Sequence, residues 1–454
     1  MSPHSTSHPA PHTASTTGGP VRGHLEHGLT VFRGVPYATA PERFAPPEPV
    51  PAWTDVRDTV TDGPVGPQSP SHFDPVLGTP APREQAEDCL TLTITTPAPD
   101  DRARPVLVWF HGGAWITGAG SLPWYDGHRL ATEGDIVVVA VNYRLGAFGY
   151  LRAPGVSEGN LGLRDQIAAL RWVHDNIAAF GGDPAQVTVA GQSAGAHSVQ
   201  CLLGIPEART TFRRAILHSS PAGLGLGDAR AAERTARGFL RALGADPRTA
   251  PVADVLAAQD RYAQAAARPL GLNVTPAFRP VEGVGPLPAR DQWVRNVRAS
   301  AGDLQVVIGF TAQEMTGFLV PNPAVRRLRR VPALGPRAVS ALERTAGRFA
   351  FTRPVLRLAD RLSGAGAAVW AFRFDYAASG NPFGATHCVD LPFLFGTDAW
   401  ADAPMLRGAD PEEVEALGRR MRAAWLGFVR TGNPDGEQGS WPAYRGPGEV
   451  KVWA

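Results

Sequence analysis

The segment that most constrains this chain is Val187–Thr188–Val189–Ala190–Gly191–Gln192–Ser193–Ala194–Gly195–Ala196. An apolar, β-branched run enters G-x-S-x-G, and helix-forming text leaves it. Small residues around the serine permit a tight strand-to-helix turn. Such a turn lifts a hydroxyl above the strand end, close to the positive end of the following helix. The pattern therefore calls for a buried strand and a helix packed beside it.

The surrounding text agrees. Leu90–Thr95, Val106–Phe110, Ile136–Val141, Val187–Ala190, Ala215–Leu217, Leu304–Ile308 and Ala368–Phe374 read as strands. Between them, Leu163, Ile167, Leu170, Val173, Ile177 and Phe180 fall at helical spacing. Helical patterns also cover Ala194–Leu203, Asp228–Arg268, Val339–Arg361 and Pro411–Arg430. Strands alternating with helices imply an α/β protein with a mostly parallel central sheet and helices on both faces.

A nucleophilic serine needs a preorganised anion site. Val106–Phe110 runs straight into His111–Gly112–Gly113–Ala114–Trp115, and glycines after a strand leave backbone N–H groups open to a substrate. Gly113, Ala114 and Ala194, the residue after the serine, are the expected oxyanion donors. The chain order Ser, acid, His leaves His197, His218 and His387 for the base. His197 sits on the serine's own helix and His218 ends a strand that packs in the core. His387 lies in a loop after the Ala368–Phe374 strand, where catalytic groups gather in open α/β sheets. Glu314 follows the Leu304–Ile308 strand and is the expected acid. Asp390, three residues past His387, reads as a solvated loop acid.

So many ordered motifs add up to a family. Phe32–Ala38, Arg43–Phe44, Glu87–Leu92, the H-G-G-A segment, Asn142–Gly149, Gly159–Gln166, Phe180–Pro184, the elbow, Thr431–Pro434 and Trp441–Pro442 together resemble the type-B carboxylesterases, the cholinesterase-like branch of the α/β-hydrolases. The look is closest to bacterial para-nitrobenzyl-esterase-type members. The resemblance implies a Ser193–His387–Glu314 triad and an oxyanion hole of Gly113, Ala114 and Ala194. It also implies ion pairs of Arg43 with Glu87 and Arg144 with Asp165, and a hydroxyl near the triad at Ser219. Departures are Gln192 where Glu usually precedes the nucleophile and Cys388 where Gly usually follows the histidine. Cys89 stands where a disulfide is common, with no cysteine before it to pair with.

The expected activity is hydrolysis of carboxylic esters through an acyl-enzyme, with an acidic pH limb near the ordinary histidine value of about 6.5. Acyl transfer or cyclisation by the same triad, or a binding relative without chemistry, are the alternatives. Trp115, Phe310, Phe318 and Phe395 are the candidate substrate-binding walls, with Trp124 and Tyr125 beside them. Forty-four basic against 42 acidic residues give a net charge of +2, which argues against a nucleic-acid partner. No apolar run reaches the ~18–20 residues of a membrane span. No cysteine or histidine grouping reads as a metal site, and no cofactor is expected. His4, His8 and His12 are spaced every four residues, but Pro3, Pro9 and Pro11 forbid the helix that would align them. Residues 1–19 read as a disordered tail without a secretory signal, and 20–454 as a single catalytic domain. With three thiols, Cys89, Cys201 and Cys388, unable all to pair, the expected compartment is the cytoplasm.

Overall fold

A computed structural model describes residues 12–266, 276–436 and 440–454. Its frame is a ten-stranded sheet. In chain order the strands are β1 (His24–Glu26), β2 (Leu29–Pro36), β3 (Thr91–Thr96), β4 (Arg104–Phe110), β5 (Val137–Val141), β6 (Gly182–Gln192), β7 (Arg214–His218), β8 (Gln305–Thr311), β9 (Ala368–Phe374) and β10 (Val450–Trp453). Their spatial order is β10-β9-β8-β7-β6-β4-β5-β3-β2-β1. The run from β10 to β5 is parallel, and β3, β2 and β1 close one edge antiparallel.

Both faces are buried, as a parallel sheet requires. Along β4, Val106, Val108 and Phe110 join one core cluster, while Leu107 and Trp109 join the other. Helix α1 (Leu161–Asn176) covers the first face with Leu163, Ile167, Leu170 and Val173. The same face takes α2 (Ala194–Leu202). On the second face lies α3 (Pro411–Thr431), which buries Leu417, Met421, Trp425 and Phe428. The apolar spacing of the sequence thus fixes which side of each helix meets the sheet.

The structure departs from the sequence reading at two places and refines it at a third. Residues 12–19 are not a tail: Thr13–Ser15 pairs antiparallel with Pro20–Arg22, and Thr17 N–H donates to Asn176 Oδ1 at 2.6 Å. Residues 1–11, with His4 and His8, lie outside the described residues; His12 Nδ1 meets Thr30 Oγ1 at 2.9 Å. The helical pattern from Asp228 is refined rather than changed: as far as Ala266 it holds two helices, Ala229–Leu243 and Val252–Ala266, with Gly244 closing the first in a left-handed cap. Strand β10 was not expected at all, since Val450–Trp453 is too short to carry a period.

The two ion pairs are present. Arg43 Nε donates to Glu87 at 2.7 Å. Arg144 grips the fully buried Asp165 through Nε at 2.9 Å and Nη2 at 2.6 Å. Cys89, Cys201 and Cys388 are all free and buried.

Candidate active site

Strands β4, β6, β7, β8 and β9 lie side by side, and the chain after each contributes to one cavity of about 360 Å³. Ser193 caps the turn from β6 into α2 with φ 55° and ψ −122°, a conformation costly for a residue with a Cβ. Tertiary contacts hold it there. Ser193 N–H donates to His218 O on β7 at 2.9 Å, and His197 N–H returns to Ser193 O at 2.9 Å. The glycine at 195 is obligatory, since a Cβ there would lie 2.0 Å from Phe110 O.

The loop after β4 faces this turn. Gly113 has φ 106°, and a Cβ on it would sit 2.1 Å from Thr117 O. Ile116 and Thr117 N–H both donate to Gly113 O at 3.0 Å, which closes the loop without using the N–H groups of Gly113 or Ala114. Tyr143 braces it from behind, donating its hydroxyl to His111 O at 2.7 Å, and Gly146 N–H donates to Trp115 O at 2.7 Å. Gly113, Ala114 and Ala194 all line the cavity. Ala194, the first residue of α2, carries one of the N–H groups that a helix leaves without an internal partner.

The candidate base and acid, His387 and Glu314, come from loops 73 residues apart that hydrogen bonds hold together. Gln313 and Thr386 form a parallel bridge, and Gly317 N–H donates to Thr386 Oγ1 at 2.8 Å. This brings His387 Nδ1 within 2.5 Å of Glu314 Oε2, while Glu314 Oε1 accepts from Thr311 N–H at 2.8 Å. Burial works against a charged imidazole. Contacts with Cys388 and with the Glu314 carboxylate outweigh it and raise the His387 pKa above its ordinary value. Burial also pushes the Cys388 thiol up, so the thiol is neutral and Glu314 is the cause that acts on the ring. An acidic limb set by this ring is therefore expected above the ordinary value of about 6.5. Rings of Phe73, Phe318 and Phe351 surround the imidazole, with centroids 5.9, 5.5 and 4.9 Å away.

Gln192 stands in direct contact with His387. Its Nε2 lies 3.1 Å from His387 Nε2. With the Nδ1 proton facing Glu314, Nε2 is an acceptor and the amide donates to it. The sequence singled out Gln192 as a lost charge; the contact itself depends on the fold.

Of the expected walls, Trp115 and Phe318 line the cavity, as do Trp124 and Tyr125. Trp115 also donates Nε1–H to Ser198 Oγ at 3.0 Å. Phe310 and Phe395 do not. Phe310 packs into the core over the first sheet face. Phe395 is fully buried on the second face, edge-on to Trp109 at 4.9 Å. Phe73 and Phe351 take their places in the wall, unforeseen because nothing local marks an aromatic as facing a cavity. Asp390 is not solvated. It is wholly buried, 2.6 Å from His218 Nδ1, and Trp425 Nε1 donates to the other ring nitrogen at 2.9 Å. His218 and Asp390 thus tie β7 to the loop that carries His387 and to α3. Ser219 is fully buried, and its Oγ has no partner among the described residues.

A strand–helix elbow on a mostly parallel sheet, with the other polar groups delivered by loops at the same sheet edge, defines an α/β-hydrolase. Within that class the carboxylesterase family model matches residues 10–328 and 334–452, and the chain belongs to that family. It is a carboxylic ester hydrolase. It is 47% identical over 436 residues to a "Probable N-octanoylanthranilate hydrolase" of Rhodococcus erythropolis, covering 95% of each chain. It is 36% identical to the para-nitrobenzyl esterase of Bacillus subtilis (strain 168), covering 95% of this chain and 92% of that protein. Among solved structures, a thermophilic para-nitrobenzyl esterase superposes with a TM-score of 0.83 at 34% identity, covering 95% of this chain and 93% of that one. Among the described residues no helix is long and apolar enough to cross a membrane.

Proposed function

We propose that Ser193 is the nucleophile, His387 its base, Glu314 the acid that orients the base, and Gly113, Ala114 and Ala194 the oxyanion donors. His387 Nε2 takes the Ser193 proton as Oγ attacks the ester carbonyl, and Gln192 yields its hydrogen bond to that nitrogen as the proton arrives. Glu314 holds the Nδ1 tautomer and stabilises the imidazolium without taking its proton. The tetrahedral oxyanion is held by the three N–H groups, the alcohol leaves with the proton from His387, and water repeats the sequence on the acyl-enzyme. The observation that carries this reading is the 2.5 Å contact of His387 Nδ1 with Glu314 in the cavity that the strained Ser193 also lines.

The walls suit a substrate with an apolar or aromatic part, through Trp115, Trp124, Tyr125 and Phe318. The relative with the N-acylanthranilate name makes N-octanoylanthranilate an amide to test beside p-nitrophenyl esters. We infer that the catalytic unit is one domain, because strands from both ends of the chain enter one sheet. The cytoplasm is the compartment in which three unpaired buried thiols fit best. The test is Ser193→Ala, which loses at least ~10³-fold in turnover of p-nitrophenyl butanoate while the far-ultraviolet spectrum is kept. A loss below tenfold would refute the assignment.

A further inference from the structure

One wall of the cavity carries polar groups that the proposed chemistry does not use. Arg279 and His197 both line it, with Pro221, Leu224, Gly225 and Pro276 nearby. His197 lies one helical turn past Ser193 and is 2% exposed; its Nδ1 has no partner among the described residues. The buried Nε of Arg279 also has none. The only hydrogen bond of that guanidinium among the described residues is Nη1 to Pro276 O, at 2.7 Å.

A guanidinium has five donors in a fork that matches a carboxylate, and burying it without an anion is costly. The other charged groups of the cavity are already engaged. Arg83 pairs with Asp62, and Asp74 sits beside His72. Asp228, the carboxylate that acts on Arg279 through space, is exposed and caps the helix Ala229–Leu243 by accepting from Ala231 N–H at 2.8 Å. Burial and the neighbouring Arg279 hold His197 neutral, pushing it down to about 3, so the ring is free to donate one N–H.

We propose that Arg279, with His197, receives a carboxylate carried by the substrate, on either its acyl or its alcohol part. The inference rests on the Ser193 cavity being the substrate site. Arg279 grips the anion through Nη2, the guanidinium nitrogen that is neither sealed off like Nε nor turned to Pro276 O like Nη1, while the neutral imidazole donates a further hydrogen bond. It is a specificity device, separate from bond cleavage.

Three esters test it. Phenyl butanoate is neutral, O-butanoylsalicylate carries the anion on the leaving group, and phenyl hydrogen glutarate carries it on the acyl chain. In Arg279→Met the ratio of kcat/KM for an anionic ester to that for phenyl butanoate falls about 10- to 100-fold in one of the two arms. Arg279→Lys keeps part of the ratio, because a point charge remains after the fork is lost. Ratios within twofold of wild type in both arms overturn the proposal. Calorimetric binding of salicylate and glutarate to Ser193→Ala, with and without Arg279→Met, reads the same site without turnover. A tenfold loss for either anion upholds the anion site even if all three esters resist hydrolysis, which would count against the Ser193 reading alone. Equal affinity for both anions overturns the anion site whatever the esters do.

Discussion

Gln192→Glu puts a charge where the structure shows a neutral donor, with little change of shape. The Gln192 nitrogen is 3.1 Å from His387 Nε2, and both side chains are buried to within 2%. A carboxylate at that distance attracts the imidazolium and repels the Nε2 lone pair. Coulomb's law gives about 5 kcal/mol at an effective dielectric of about 20 and about 1.3 kcal/mol at the value for water. Both residues line a cavity open to solvent, so the lower figure is the safer floor. At 1.36 kcal/mol per pKa unit, the His387 pKa rises by about one unit or more. In the proposed mechanism the neutral ring is the active form, so activity is lost as pH falls through that pKa. The acidic limb of kcat/KM therefore moves to higher pH by the same amount. The assay is hydrolysis of p-nitrophenyl butanoate between pH 5 and 10, corrected for the uncatalysed rate, on wild type and variant. A limb within 0.3 of a unit of wild type would mean that the amide does not face the working nitrogen. The catalytic geometry given for Gln192 would then be wrong.

In the opposite direction, Glu314→Gln removes the carboxylate that raises His387. Its acidic limb moves to lower pH, and kcat falls by up to ~10⁴ because the imidazole loses its orienting partner; an unshifted limb measured on the same ester would contradict this. Asp165→Asn leaves the buried Arg144 without its counter-charge, where two side-chain hydrogen bonds and one from the Arg144 N–H at 3.1 Å now meet. Denaturant titration should register a loss of about 3–5 kcal/mol, and a loss under 1 kcal/mol would show the pair to be dispensable.

What the sequence determined by itself is what local chemistry and periodicity carry. G-x-S-x-G between a β-branched run and helix-forming text marks a tight strand-to-helix turn, and the fold adds the reason for glycine at 195, where a Cβ would meet Phe110 O. Helical spacing from Leu163 to Val173 marked the side of α1 that meets the sheet, where those side chains are buried. Order along the chain sufficed to single out Glu314 and His387, which the fold then brings into contact. Properties that depend on what lies across space were illegible. Phe310 and Phe395 look like wall residues in the text yet fill the two cores, while Phe73 and Phe351 come to face the cavity. Asp390 looks solvated beside His387 and is instead buried against His218 from a strand 172 residues away. The contact of Gln192 with the base and the unpartnered side of Arg279 belong to the same group. Backbone patterning is written in neighbouring residues, whereas burial and partnership are decided by whichever distant segments the packed sheet sets opposite one another.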